Sequence, residues 1–452
     1  MKRICYIKFI GLSFLFLVGA GCDSGPDTRQ ANLILISLDT LRADYLGCYG
    51  QATPVSPHLD QLAESAIVFE KAYATAPFTG PSHASILTSQ HPSTHGMIYN
   101  GHRARNLAIG ERSVTLAEHL GQAGFNTKAI VSGGPLAARF GFGRGFESFN
   151  LVPQLDNLDS GGDPEQITQR AGNWLLDWHH SGQKERFFLW VHHFTPHLPY
   201  VGRPADRASL GMAFDQTVDD KNVATLPLQN VRDAYGAEVL AADRFVGELL
   251  AKLEELGMAE NTVIAVVSDH GEYLQEHGLT NHHRLFDEVL HVPMFIHWPK
   301  WMASDRRSGS VSTLDLAPTL LDMLGVSPLP YAQGRSLLAA ETNESEVAVF
   351  AEWRDFRLLS EQAPRKNDFL ISVQLGQKKL IRDILFPQAS QSFDLAQDPR
   401  ELHPIDGEFM TKMNTLLDTH LQEGLPEGLA GVGDINLDAK SLEMLRSLGY
   451  VR

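Results

Sequence analysis

Short runs of apolar residues, each bounded by polar positions, recur along the chain: "NLILISL" (32–38), "KAIVS" (128–132), "FFLWV" (187–191), "TVIAVVS" (262–268) and "PMFIHW" (293–298). Unbroken runs of this length read as strands buried on both faces, as in a parallel sheet. Helical patterns lie between them. "SPHLDQLAES" (56–65) opens on a Ser-Pro start signal, and "SVTLAEHLGQAG" (113–124) and the long segment 231–257 both stop at glycine. A shorter helix is predicted over 312–325. Alternating strand and helix predict an α/β domain with helices on both faces of a mostly parallel central sheet. Past about residue 345 the texture changes. "VAVFAEW", "DFLISVQLG" and "KKLIRDILF" are strand-like pieces separated by polar turns, followed by the helical "GEFMTKMNTLLDTHLQEG". The expectation is a small antiparallel C-terminal subdomain over 346–452, after a catalytic domain over 23–345.

Residues 1–22 stand apart. Lys2, Arg3 and Lys8 precede an apolar stretch from Phe9 to Ala20 and then small residues, the pattern of a signal peptide. Gly19-Ala20-Gly21-Cys22 resembles a bacterial lipoprotein box, with Gly19 where leucine is usual, and Asp23 resembles the residue associated with inner-membrane retention. The expectation is a periplasmic protein anchored to the membrane through lipid on Cys22; an uncleaved anchor and ordinary secretion are the alternatives. Cys5 would leave with the signal and Cys22 would be lipidated. Cys48 then has no partner for an intrachain disulfide and reads as a packed small hydrophobe.

At 452 residues, 43% hydrophobic and 20% charged, the chain can bury a large core. Its formal net charge of −16 excludes a general nucleic-acid surface but leaves room for a small electropositive pocket. The candidate chemistry sits at strand ends, where open α/β sheets collect ligands. "LISLDT" ends in Asp39-Thr40 and "AVVSDHG" in Asp269-His270. One aspartate after a strand is more often a turn residue. Two, one of them followed by histidine and glycine, point to a site for Zn²⁺, Mn²⁺ or a related divalent ion. In "APFTGPSHASILTSQHP" (76–92), Pro81 predicts a helix start with Thr79 just before it. Read alone, Thr79 is a plain cap. A helix start also favours anions.

Together, "NLILISLDTLRADYLGCYG", "TGPSHASILTSQHPSTHG" and "VVSDHGEYLQEHG" resemble the sulfatase family of the alkaline-phosphatase superfamily. "VHHFTPHLPY", "RLFDEVLHVPMFIHWP", "DLAPTLLDMLGVSP" and "SFDLAQDPRELH" extend the resemblance over essentially all of 31–452. It implies an alkaline-phosphatase-like sandwich with a C-terminal subdomain, and one or two divalent ions (Zn, Mn, Ca or Mg). The metal set would be Asp39, Thr79, Asp269 and His270, with Thr79 at the position of the family nucleophile. His197 and His283 would fall where the family contacts substrate or metal, and His83 stands where the family has an arginine. His192, His193, His277 and His282 are expected to be structural, to stand behind the site residues, or to lie at the surface. His95 reads equally as pocket lining or loop, Trp174 and Trp178 as a core stripe, and Lys128 as solvated.

The departures carry chemical meaning. Arylsulfatases convert cysteine or serine into formylglycine; threonine is not a known precursor of that aldehyde. Asp39-Thr40 replaces the usual Asp-Asp, and Asp269-His270 the usual Asp-Asn. The expected activity is metal-dependent hydrolysis of a sulfate- or phosphate-type ester, with Thr79 attacking directly and phosphoryl transfer preferred. The substrate class would be a small-molecule, glycan or lipid-headgroup ester. A phosphoethanolamine-transferase-like enzyme and a silent anion-binding homologue are the alternatives. The sequence does not define the oligomeric state.

Overall fold

The computed structural model describes residues 31–98, 108–152, 164–299, 301–338, 347–356 and 367–423. The predicted signal and lipid-anchor segment lies outside them. Six strands, β1 (Asn32–Leu38), β2 (Ala66–Tyr73), β3 (Phe125–Ser132), β4 (Ser148–Val152), β5 (Arg186–His193) and β6 (Thr262–Ser268), belong to a nine-stranded sheet. β1 is central, hydrogen-bonded in parallel to β5 on one side and β6 on the other; β3 and β4 extend the parallel set beyond β5. On the far side of β6 lie Met294–His297, β2 and Asp305–Ser312 in that order, and His291–Val292 also pairs with β2.

Side chains on β1 alternate between two cores because successive residues of a strand face opposite ways. Leu33 and Leu35 point into one core, which receives Ala84, Ile86 and Leu87 of helix α2 (Thr79–Thr88) and Leu316, Leu320 and Leu321 of helix Leu316–Met323. Ile34, Ile36 and Leu38 point into the other, closed by Leu59 and Leu62 of helix α1 (Pro57–Ala63) and by helices Pro164–Ser181 and Leu228–Glu255. The expected α/β fold with a mostly parallel sheet is the one observed. One strand runs otherwise: Met294–His297 is antiparallel to both β6 and β2. No crossover helix long enough to carry the chain to the sheet's other end intervenes between Ser268 and Met294, so the chain returns from the edge where it left.

The second sheet is antiparallel and meanders through Ala348–Phe356, Asn367–Leu375, Lys378–Asp383 and Gln391–Asp394. Met413, Leu417 and Leu421 of helix Phe409–Glu423 cover Phe369, Ile371 and Val373. The Glu352 N–H donates to the Thr75 carbonyl at 2.8 Å, tying this sheet to the segment just before α2. Trp174 and Trp178 lie ring to ring at 5.4 Å against Phe187. Burial and Asp60 push the Cys48 thiol up to about 12, so it behaves as an inert hydrophobe. No helix among the described residues is long and apolar enough to cross a membrane.

Candidate active site

β1 and β6 run side by side, so the residues that follow them emerge together. Asp39 and Asp269 are wholly buried at this edge. Asp269 Oδ1 accepts the backbone N–H groups of Thr40 (3.1 Å) and His270 (2.8 Å), which leaves Oδ2 for other partners. Thr40 adopts a left-handed conformation, φ 55°, and its N–H thereby turns toward Asp269. His270 Nδ1 donates to the Gly271 carbonyl at 2.9 Å, so the neutral ring presents a bare Nε2. That Nε2 lies 3.5 Å from Asp269 Oδ2 and 3.9 Å from Asp39 Oδ1. These three atoms are buried without a hydrogen-bond partner. Three converging acceptors with no donor between them fit a cation, and their N/O set suits a borderline divalent metal.

Burial sets the protonation pattern. It raises Asp39 well above the ordinary carboxylate range, with Asp269 and Glu272 adding like-charge repulsion. It raises Asp269 to about 6 and lowers His270 to about 4. A metal needs both carboxylates ionised and the imidazole neutral. His270 already meets this condition near neutrality, so the carboxylates control loading. The expected result is divalent-metal affinity falling at least about tenfold per unit as pH drops below about 6. Equilibrium dialysis across pH checks it.

Thr79 is the first residue of α2, with Phe78 as the extended residue before it. The helix thus begins two residues before Pro81, and Thr79 caps nothing: its hydroxyl points at Asp39 Oδ2, 3.4 Å away. Ser82 Oγ donates to the Asp269 carbonyl at 2.6 Å, which fixes the helix start against the end of β6. One turn on, His83 Nδ1 donates to the Thr79 carbonyl (2.8 Å) and lies 3.4 Å from Asp269 Oδ2.

The other predicted histidines pack in a row beside this group. His197 stacks on Phe194 at 4.3 Å, and its ring is 5.7 Å from that of His282. His282, expected to be structural, packs 4.4 Å from the ring of His270 and is held by the Pro77 carbonyl. His283 lies beyond it, 5.3 Å from His282 and 5.4 Å from Phe78. His192, also weighed as structural, has its Nε2 3.6 Å from Asp39 Oδ2, and Glu272, which sequence reasoning passed over, accepts from Tyr200 Oη at 2.6 Å. The signal for His192 was available only from strand order, because β5 lies beside β1. Lys128 lies away from this group, bonded to Ser148, and His95 faces Ser85.

Residues 31–326 match the sulfatase family model, and 275–426 match the C-terminal model of N-sulphoglucosamine sulphohydrolase. The chain belongs to the sulfatase family. Sulfatases hydrolyse sulfate esters. Among its relatives, the N-acetylglucosamine-6-O-sulfatase of Bacteroides thetaiotaomicron is 23% identical, covering 92% of this chain and 90% of the relative. Human iduronate 2-sulfatase is 26% identical over 68% and 67%. Similar solved folds include a protein bound to its substrate D-glucosamine-2-N,6-O-disulfate (TM-score 0.73, 20% identity, 88% of this chain and 99% of that one). The phosphonate monoester hydrolase of Agrobacterium radiobacter is another (TM-score 0.69, 19% identity, 87% and 95%).

Gly271 is a tight point in this sulfatase-family site. A Cβ there would come within 2.1 Å of the Glu288 carbonyl oxygen, while the Gly271 N–H donates to the Val289 carbonyl at 2.6 Å. Gly271→Ala is expected to displace the His270 loop, lowering stability by about 1–3 kcal/mol and weakening metal binding. Thermal melting with and without added metal checks it.

A second group, His91, Glu352 and His420, also clusters ring nitrogens around a carboxylate. Here the carboxylate is already engaged: Ser93 Oγ (2.7 Å) and His420 Nε2 (3.0 Å) donate to Oε1, and Arg354 (3.0 Å) to Oε2. It is a buried polar tie between the segment after α2, the C-terminal sheet and the C-terminal helix.

Proposed function

We propose that this sulfatase-family protein is a metal-dependent hydrolase in which the unmodified Thr79 hydroxyl attacks a sulfate- or phosphate-type ester, phosphoryl transfer being preferred. The observation that carries the reading is the set of buried, partnerless atoms Asp39 Oδ1, Asp269 Oδ2 and His270 Nε2, beside Thr79 at the start of a ten-residue helix. Asp39, Asp269 and His270 would hold the ion, with Thr79 completing the set. A divalent cation there supplies the positive charge that favours ionisation of a neighbouring hydroxyl and neutralises charge on the ester's non-bridging oxygens.

The chain's own residues do the rest. Asp39 Oδ2, 3.4 Å from the Thr79 hydroxyl, accepts its proton. The Thr79 oxygen forms a bond to phosphorus or sulfur as the bond to the ester oxygen breaks, and the departing oxygen takes its proton from solvent. Water then cleaves the covalent enzyme and restores the hydroxyl. The α2 dipole favours the anionic group, and His197, His282 and His283 line its approach. Threonine gives no formylglycine, which is why the reading favours phosphorus over the family's usual sulfur. The substrate class that suits it is a glycan or lipid-headgroup ester outside the cytoplasm, reached from a periplasmic membrane anchor at Cys22.

The test is a panel of aryl sulfate, phosphate monoester, phosphodiester and phosphonate monoester substrates, with enzyme stripped by chelator and reloaded. Expected is loss of activity on stripping, recovery with Zn²⁺ or Mn²⁺ above that with Mg²⁺, and turnover of phosphorus esters above sulfate. Metal-independent turnover would overturn the mechanism; turnover of sulfate alone would overturn the phosphoryl preference.

A further inference from the structure

Ser37, the penultimate residue of β1, is wholly buried, and three nitrogens converge on its hydroxyl at 3.0 Å: Trp190 Nε1, His83 Nε2 and His192 Nδ1. A hydroxyl has one proton to give and two lone pairs to receive with. Trp190 Nε1 can only donate. His83 carries its proton on Nδ1, where it meets the Thr79 carbonyl, so its Nε2 takes the Ser37 proton. The remaining contact must then be a donation from His192 Nδ1–H into the second lone pair of Ser37.

That assignment fixes the other end of His192. Its Nε2 is a bare lone pair, buried, without a hydrogen-bond partner, and 3.6 Å from Asp39 Oδ2. Two acceptors with no proton between them repel unless a cation lies near both. His270 repeats the design: its Nδ1 is tied to the Gly271 carbonyl, and its bare Nε2 faces Asp39 Oδ1. The two imidazoles thus face the two oxygens of one carboxylate, each with its tautomer fixed by a protein partner, as ligating histidines are. His192 stands on β5 opposite Ser37 on β1, so the ring is carried by the rigid centre of the sheet.

We infer that His192 is a further ligand of the cation held by Asp39, Asp269 and His270, entering through Nε2. The inference rests on reading that pocket as a metal site. A donor set of two imidazoles, two carboxylates and a hydroxyl selects a borderline transition ion such as zinc or manganese over calcium, which takes oxygen ligands. It also gives the site a fifth donor where the family's second aspartate is replaced by Thr40.

The test compares wild type, His192→Asn and Asp269→Asn after chelator treatment. Asparagine keeps an N–H for Ser37 and deletes Nε2. Zn²⁺ affinity is measured by competition with a chromophoric chelator, and coordinated imidazoles are counted by pulsed EPR on Cu²⁺-loaded protein. Expected is at least about a tenfold loss of affinity in His192→Asn, with two imidazoles in wild type and one in the variant. The count separates a ligand from a residue that only supports one. One imidazole in wild type, or unchanged affinity in His192→Asn while Asp269→Asn loses it, overturns the inference and leaves the metal reading standing. Unchanged affinity in Asp269→Asn as well overturns both. If His192→Asn does not fold, the wild-type count decides alone.

Discussion

Thr79→Ala is expected to lower kcat by a factor on the order of 10³ to 10⁶, the range seen when a covalent nucleophile is deleted. Stability should hardly move. The hydroxyl's one described contact is the 3.4 Å approach to Asp39, and a hydrogen bond of that length contributes at most about 1 kcal/mol. A loss of that size without unfolding would place the residue in the chemistry rather than in the scaffold. Thr79→Ser keeps the attacking oxygen and is expected to retain most of the activity. The second measurement is rapid quenching with a phosphonate or phosphate ester followed by peptide mass analysis. The mass increment should fall on the peptide containing Thr79 in wild type and be absent in Thr79→Ala. Equal kcat in wild type and Thr79→Ala would remove the threonine from the mechanism and make the attacking group a water held in the same pocket.

The parts of this protein that were legible in the sequence are those whose pattern depends on local surroundings alone. β1, β5, β6 and the second half of β3 are buried on both faces, so their apolar runs are unbroken and the parallel sheet follows from them. β2 carries Glu70 and Lys71 where its burial lapses, and Asp305–Ser312 is a largely polar edge strand. Neither has the signature of a buried strand, and both were missed. Asp39 and Asp269 were legible because each ends a run. His192 was not, because a histidine inside an apolar strand looks like core until the order β6-β1-β5 places it beside Asp39. The choice between His282 and His283 rests on loop conformation: Asn281 is left-handed, φ 64°, and sequence spacing carries no trace of that turn. His282 consequently lies next to His270, and His283 one ring farther out.

The second large effect is structural. Glu352→Gln is expected to destabilise the enzyme by about 3–5 kcal/mol, the cost of breaking a buried ion pair by removing one partner. Glu352 and Arg354 are almost completely buried, and the carboxylate also accepts from Ser93 and His420. Glutamine matches the shape but removes the negative charge facing the guanidinium and turns an amide group toward donors. Arg354 lies over the ring of Phe369 at 4.4 Å, an apolar contact that a neutral side chain can keep. Glu352→Gln combined with Arg354→Met should therefore recover a large part of the loss. Acid gives an independent check with a definite sign. Arg354, with His420 next, holds the Glu352 carboxyl well below its ordinary value despite burial. Its stabilisation is therefore complete above about pH 4.5 and lost as pH falls toward the folded value. Wild type should lose stability through that acid range more steeply than Glu352→Gln, whose amide does not titrate. Thermal midpoints from pH 3 to 7 test both points, and equal midpoints for wild type and Glu352→Gln would show that the pair contributes nothing net. The tie joins the residues after α2 to the C-terminal sheet and helix, so its loss should loosen the far end of the helix whose start carries Thr79.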